Sequence, residues 1–279
     1  MENNQKGIKI ADKMPEPDPE ELAKQTLKKI KNKFIVMSGK GGVGKTSTSV
    51  NLAIALANKG FKVGLMDVDI HGPDIPRMLG LDGMLNINEK QKLQPKSFSE
   101  NLTAVSIESL MPNKDDAVIW RGPMKHTAIQ QFINDVDWGY LDYLVIDSPP
   151  GTGDEPLTVA QLIKDARSII VTTPQEVALA DVRKSINFCK TVNMEIFGLI
   201  ENMSGYICPH CGKDIDMFGT GGGEKTASII GINFLGRIPF DPNMVKCGDE
   251  GISYQDEYSG STVSKAFKEI AGKISVSGG

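Results

Sequence analysis

The run Gly39-Lys40-Gly41-Gly42-Val43-Gly44-Lys45-Thr46, followed by Ser47, has the G-x-x-x-x-G-K-[ST] spacing of a phosphate-binding loop. Glycines at these places let backbone N–H groups close around phosphate oxygens, and a helix beginning near Lys45 adds the positive end of its dipole. Lys45 is spaced to reach the β- and γ-phosphates of ATP, and the Thr46 hydroxyl to ligate Mg²⁺. Asp147, directly after Tyr143-Leu144-Val145-Ile146, has the position of a carboxylate that holds Mg²⁺ through water. Asp67 and Asp69 follow Leu65-Met66, and either can orient an attacking water; strand-end aspartates also serve as helix caps. Lys40 is a second lysine that an ordinary phosphate loop does not require.

Cys208-Pro209-His210-Cys211 is the other chemical signal. A C-x-x-C pair serves zinc, iron–sulfur clusters and redox dithiols alike. A closed site needs four ligands, and His210, wedged beside Cys211, is poorly placed to chelate the same ion. Cys189 shares a helical face with Leu179, Val182 and Ile186 and reads as a core thiol, whereas Cys247, before Gly248, stays open as a third ligand. Two chains related by symmetry, each giving Cys208 and Cys211, supply four thiolates, which suit either a [4Fe–4S] cluster or tetrahedral zinc.

These residues need elements to hold them. Phe34-Ile35-Val36-Met37, Val63-Gly64-Leu65-Met66, the run from Leu102 to Ile107, Tyr143 to Ile146, Ser168 to Val171, Ile196 to Ile200 and Phe234 to Ile238 read as buried strands. Between them Val50, Ala53, Ile54 and Ala57 recur at helical spacing, and Gly60 sits where that helix would stop. Val263, Ala266, Phe267, Ile270, Ala271 and Ile274 make one apolar face of a C-terminal helix. The expectation is an α/β P-loop fold: one mostly parallel sheet with helices on both faces, spanning residues 33–279, with the cysteines in a loop near 203–220. Residues 1–32 are expected to form a flexible extension, because Pro15, Pro17 and Pro19 oppose regular structure, although Leu22, Leu27 and Ile30 suggest a short helix at its end.

Composition narrows the partners. Of 279 residues, 40% are apolar and 24% charged, and the net charge of −4 argues against a surface that wraps nucleic acid. No segment approaches the roughly 18 consecutive apolar residues of a membrane span. The polar N-terminus lacks the apolar core of a secretory signal, and four cysteines in so long a chain suit a reducing compartment. The expectation is a cytoplasmic protein with neither nucleic acid nor membrane among its partners.

The string from Lys40 to Thr46 resembles the deviant Walker A loop of a group of dimeric ATPases. That group includes nitrogenase iron protein and the division, partition, arsenite and tail-anchor ATPases. The resemblance implies a homodimer that sandwiches nucleotide, with Lys40 on a phosphate, in some members that of the opposite subunit. From about Phe34 to Gly251 the chain closely resembles the Mrp/ApbC family of iron–sulfur cluster carrier ATPases. Besides the loop, the match rests on Asp67-Val68-Asp69-Ile70-His71-Gly72-Pro73, Trp120-Arg121-Gly122-Pro123-Met124, and Asp147-Ser148-Pro149-Pro150-Gly151-Thr152-Gly153-Asp154. Glu201-Asn202-Met203-Ser204 and the cysteine pair complete it. The resemblance implies Lys40, Lys45 and Asp69 as catalytic residues, Asp147 as the Walker B carboxylate, Asn202 on the adenine edge, and Cys208 and Cys211 on a cluster bridging two subunits that is passed to apo-proteins. Residues 1–32 hold no cysteine, so the chain looks like a short form without the family's N-terminal additions. The competing expectation is a nucleotide-switched positioning or targeting ATPase with zinc at the C-x-x-C. Against it, Lys265, Lys268 and Lys273 make only a weak basic face, and no long Met-rich insertion is present.

Overall fold

In the computed structural model, residues 18–70, 72–110, 122–208, 210–215 and 217–277 are described. His71, Trp120, Arg121, Pro209 and the first seventeen residues of the expected extension lie outside them. In chain order come α1 (Pro19–Leu27), β1 (Ile30–Met37), α2 (Lys45–Asn58), β2 (Val63–Asp67), α3 (Ile75–Met78), β3 (Asn86–Ile87), β4 (Leu93–Gln94), β5 (Lys96–Ser99), β6 (Leu102–Ser106) and α4 (Gly122–Asn134). There follow β7 (Leu141–Asp147), α5 (Asp154–Leu162), β8 (Arg167–Thr172), α6 (Glu176–Thr191), β9 (Glu195–Asn202), β10 (Tyr206–Ile207) and β11 (Asp214–Ile215). The chain closes with α7 (Gly222–Ile230), β12 (Phe234–Ile238), α8 (Pro242–Glu250), α9 (Tyr254–Glu257) and α10 (Thr262–Ser277).

The seven apolar runs, with the polar edge strand β5 added, form an eight-stranded sheet in the order β12-β9-β8-β1-β7-β2-β6-β5. Its pairings are parallel except for β5, which lies antiparallel to β6 at the edge. Side chains alternate between faces along a strand, and both faces are covered here. Phe34, Val36, Tyr143 and Val145 join the core beneath α2 and α10, whereas Ile35, Met37, Leu144 and Ile146 join the core beneath α1 and α4. This is why the strands read as continuous apolar runs.

The boundary expected at residue 33 moves back. Strand β1 begins at Ile30, and α1 precedes it, capped by the Asp18 side chain with Pro19 in its first turn. Ala23 and Leu27 give that helix a buried stripe, and Asn134 of α4 donates to the Pro19 carbonyl at 3.0 Å. At the other end of the series β6 stops at Ser106, and Ile107–Leu110 turn as a 3₁₀ segment.

The register brings the chemistry to one end of the sheet. Asp67 of β2 lies opposite Asp147 of β7, which also pairs with Val36 just before the phosphate loop. Two strands from β1 on its other side, Glu201 of β9 lies opposite Thr172 of β8.

Candidate nucleotide site and cysteine hairpin

Between Met37 and Lys45 the chain must turn from a central strand into a helix within seven residues. Gly42 at φ +77° and Gly44 at φ +75° take left-handed conformations that a residue with a Cβ disfavours. Gly44 is further restricted, because a Cβ there would stand 2.3 Å from Nδ2 of Asn202. Gly39 passes α6 closely enough that its Cβ would meet the Asp181 carbonyl. Gly41, Gly42 and Gly44 to Ser47 then line a cavity of about 330 Å³ together with Asp69, Asp74 and Pro150. A glycine-walled hollow at the N-terminus of a fourteen-residue helix matches a polyphosphate.

Asp147 organises the floor. Its carboxylate is fully buried; Oδ2 lies 2.7 Å from Lys45 Nζ and accepts from Thr46 Oγ1 at 2.8 Å, while Oδ1 accepts from Ser49 Oγ at 2.5 Å. Lys45 is itself only 6% exposed and stands 3.9 Å from Asp69. A buried ammonium and carboxylate this close stabilise each other, since either alone would carry a large desolvation cost. Ser49 escaped the sequence reading. It lies one turn beyond Lys45 and Thr46 on the same face, so the helical period was the signal available.

The two strand-end aspartates differ in kind. Asp67 is fully buried, accepting from the Asp69 backbone N–H at 3.1 Å and from Ser106 Oγ at 3.0 Å. Burial first, and then the neighbouring Asp147 charge, push its pKa well above the ordinary carboxylate range. Asp69, in contrast, lines the cavity.

Lys40 does not line this cavity; its ammonium is 3.5 Å from Oε1 of Gln175, just before α6. Asn202, also buried, donates from Nδ2 to the Val43 carbonyl at 2.9 Å and so braces the loop from beneath.

Cys208 and Cys211 lie at the turn of the β10–β11 hairpin. The Cys208 N–H donates to the Lys213 carbonyl, and the Gly212 N–H returns to the Cys208 carbonyl, both at 2.9 Å, with Gly212 at φ +67°. Cys208 is half-buried and Cys211 exposed. Hydrogen bonds from the His210 and Cys211 backbone, then from the Cys211 side chain, draw the Cys208 thiol below its usual pKa. A thiolate so favoured is the form that binds metal. The other cysteines are buried thiols with raised pKa values. Cys189 donates to Ser168 Oγ at 3.3 Å, and Cys247 sits on α8 within the core. Among the described residues no group of three or more His, Cys, Asp or Glu side chains is arranged to hold a metal ion. The hairpin therefore presents two thiols and no third partner from the described part of its own chain.

Known proteins similar to this chain include carriers and a nucleotide-binding protein. An iron–sulfur cluster carrier protein of Methanocaldococcus jannaschii is 51% identical over 230 residues, which are 82% of this chain and 79% of the relative. One of Saccharolobus solfataricus is 47% identical over 249 residues, 89% of this chain and 84% of the relative. Among solved structures, a nucleotide-binding protein of Archaeoglobus fulgidus in complex with ADP superposes with a TM-score of 0.74 at 38% identity, covering 83% of this chain and 91% of that one. The ParA family model, described as NUBPL iron-transfer P-loop NTPase, matches residues 29–275. With a phosphate loop and a cysteine hairpin at one end of a parallel sheet, the chain belongs to this family of iron-transfer P-loop NTPases.

Proposed function

We propose that this protein is an ATP-hydrolysing carrier that takes an iron–sulfur cluster as cargo at a homodimer interface and delivers it to apo-proteins. The observation that carries the reading is the Cys208–Cys211 hairpin, a two-thiol half-site on a P-loop fold whose relatives are named iron–sulfur cluster carriers.

In this reading Gly39, Lys40, Gly41, Gly42, Val43 and Gly44 wrap the phosphates, with Lys45, Thr46 and Ser47 at the helix start. The donor set fits a hard cation: the Thr46 hydroxyl would ligate Mg²⁺ and Asp147, now accepting from that hydroxyl, would hold it through water, and bound Mg²⁺ would neutralise phosphate charge. Lys45 holds the β- and γ-phosphates, Asp69 orients water at the cavity wall, and Asn202 belongs to the adenine side while bracing Val43. Lys40, turned towards Gln175 and away from its own cavity, is assigned to phosphate at the subunit interface. Cys208 and Cys211 ligate a [4Fe–4S] cluster, and the cytoplasm is the compartment that keeps these thiols reduced.

Anaerobic reconstitution with iron and sulfide, followed by iron, sulfide and zinc analysis and transfer to an apo-acceptor, tests the cargo. The full chain should take up and pass on a cluster, and the Cys208→Ser, Cys211→Ser double variant should do neither while still binding ATP. Uptake of zinc alone would replace the carrier reading with the targeting one. Lys45→Ala should abolish ATP hydrolysis with the fold intact; retained turnover would sink the site assignment.

A further inference from the structure

Strand β9 ends in two consecutive buried polar residues, Glu201 and Asn202. Successive strand side chains point to opposite faces, so the pair addresses two different neighbours. Asn202 reaches the Val43 carbonyl of the phosphate loop. Glu201 reaches the base of the cysteine loop instead. Its carboxylate accepts from Ser204 Oγ at 2.5 Å, from the Gly221 N–H at 2.8 Å and from the Gly223 N–H at 2.5 Å, with Arg237 Nε at 3.7 Å. Ser204 lies at the start of the segment 203–220 that carries the hairpin, and Gly221 and Gly223 lie just past its end.

Three consecutive glycines stand at that end, and Gly223 is required by this contact. Gly221 has φ +83°, and a Cβ on Gly223 would stand 2.9 Å from Oε2 of Glu201. A Cβ on Gly222 would stand 2.6 Å from the Pro174 carbonyl. The carboxylate thus sits against the N-terminus of α7, where the helix dipole favours negative charge. Burying a carboxylate is costly unless every lone pair finds a donor, and an apolar residue would fill the same space without that cost. Here all the donors but Arg237 belong to the two ends of one loop.

We propose that Glu201 is a positioning residue for the cysteine pair. Its carboxylate fastens both ends of the 203–220 segment and fixes the hairpin on the sheet, and through adjacent Asn202 the same strand end braces the phosphate loop. What the pair holds rests on the carrier reading; that the pair is held by Glu201 does not.

The test titrates the nucleotide-free full chain with Co²⁺ under anaerobic conditions and follows the cobalt–thiolate absorption. Glu201→Gln keeps the shape but turns an acceptor into an amide donor facing the N–H groups. Gly223→Ala presses on the carboxylate from the other side. Both should bind Co²⁺ about tenfold more weakly, as outer-shell changes commonly do, and with an altered thiolate band, at unchanged far-UV circular dichroism. Ser204→Ala, which removes a single donor, covers the case in which either variant fails to fold and should shift the band in the same direction. Affinity and spectra identical to the unsubstituted chain would overturn the proposal, as would an unsubstituted chain with no cobalt–thiolate band. A chain that binds Co²⁺ through both thiols but takes up no iron and sulfide would overturn the carrier reading alone.

Discussion

Around Asp147 the nucleotide site is held together by charge and hydroxyls packed out of water, and the most instructive neighbour is Asp67. Its folded-state pKa lies above the unfolded value of about 3.9. The folded chain therefore keeps a proton that the unfolded chain releases. That contribution to stability is complete below about pH 4 and is lost as the pH rises through the raised folded value. Asp67→Asn keeps an acceptor for the Asp69 N–H and removes the titration. In nucleotide- and magnesium-free protein it should raise Tm near neutral pH by about 2–4 °C, corresponding to roughly 1 kcal/mol. The gain should vanish near pH 4; thermal melts across pH showing no such convergence would contradict the assigned protonation. Sequence spacing alone made Lys45, Thr46 and Asp147 legible, because the motif binds residue type to position. Spacing left Asp67 and Asp69 equivalent and only the family resemblance favoured Asp69, since burial is what separates a proton-bearing carboxyl from one lining the cavity. Ser49 and Glu201 stayed illegible in role because a lone serine on a helix, or a glutamate at a strand end, has no signature until its partners are known.

At the level of elements, each strand of the parallel sheet was readable, because strands buried on both faces must be apolar throughout. The antiparallel edge strand β5 and the short pairs β3–β4 and β10–β11 were not, since short, half-exposed strands carry no continuous apolar run. Helix α1 was blurred for another reason. The prolines before it and the lysines after it resemble a solvated tail, and only Ala23 and Leu27 show that it is packed. Leu27 lies in the core that also holds Phe132 and Ile133 of α4 and Leu144 of β7. Leu27→Ala should cost about 2–3 kcal/mol, the lower part of the range for a buried leucine, because a helix near the chain end can relax around the cavity. Urea denaturation would read it; an unchanged midpoint would mean that α1 adds nothing to the fold and that the folded unit begins at β1.

For the whole molecule, the proposed cluster-bridged homodimer follows from the count of thiols. A [4Fe–4S] cluster takes four ligands, and each chain offers Cys208 and Cys211 at a hairpin turn. Cys189 is fully buried on α6 against Ser168 and Met37, and Cys247 is held in the core on α8. For either to join the hairpin pair, a helix would have to leave the core, at a cost far above the few kcal/mol of a local opening. In the proposed homodimer a second copy supplies the missing two at much lower cost. The hairpin region suits such a contact: Ile207, Ile215 and Met217 are 48%, 41% and 49% exposed, apolar side chains within a few residues of the cysteines that a partner would cover. Reconstituted protein should therefore sediment as a dimer without nucleotide and contain about four irons and four sulfides per two chains. The Cys208→Ser, Cys211→Ser variant should sediment as a monomer under the same conditions. Replacing Ile207 and Met217 with serine should weaken the dimer while leaving both thiols in place, which separates the apolar contribution from the ligand one. A monomer carrying a full complement of iron and sulfide would refute the shared site, because its ligands would then have to come from a single chain.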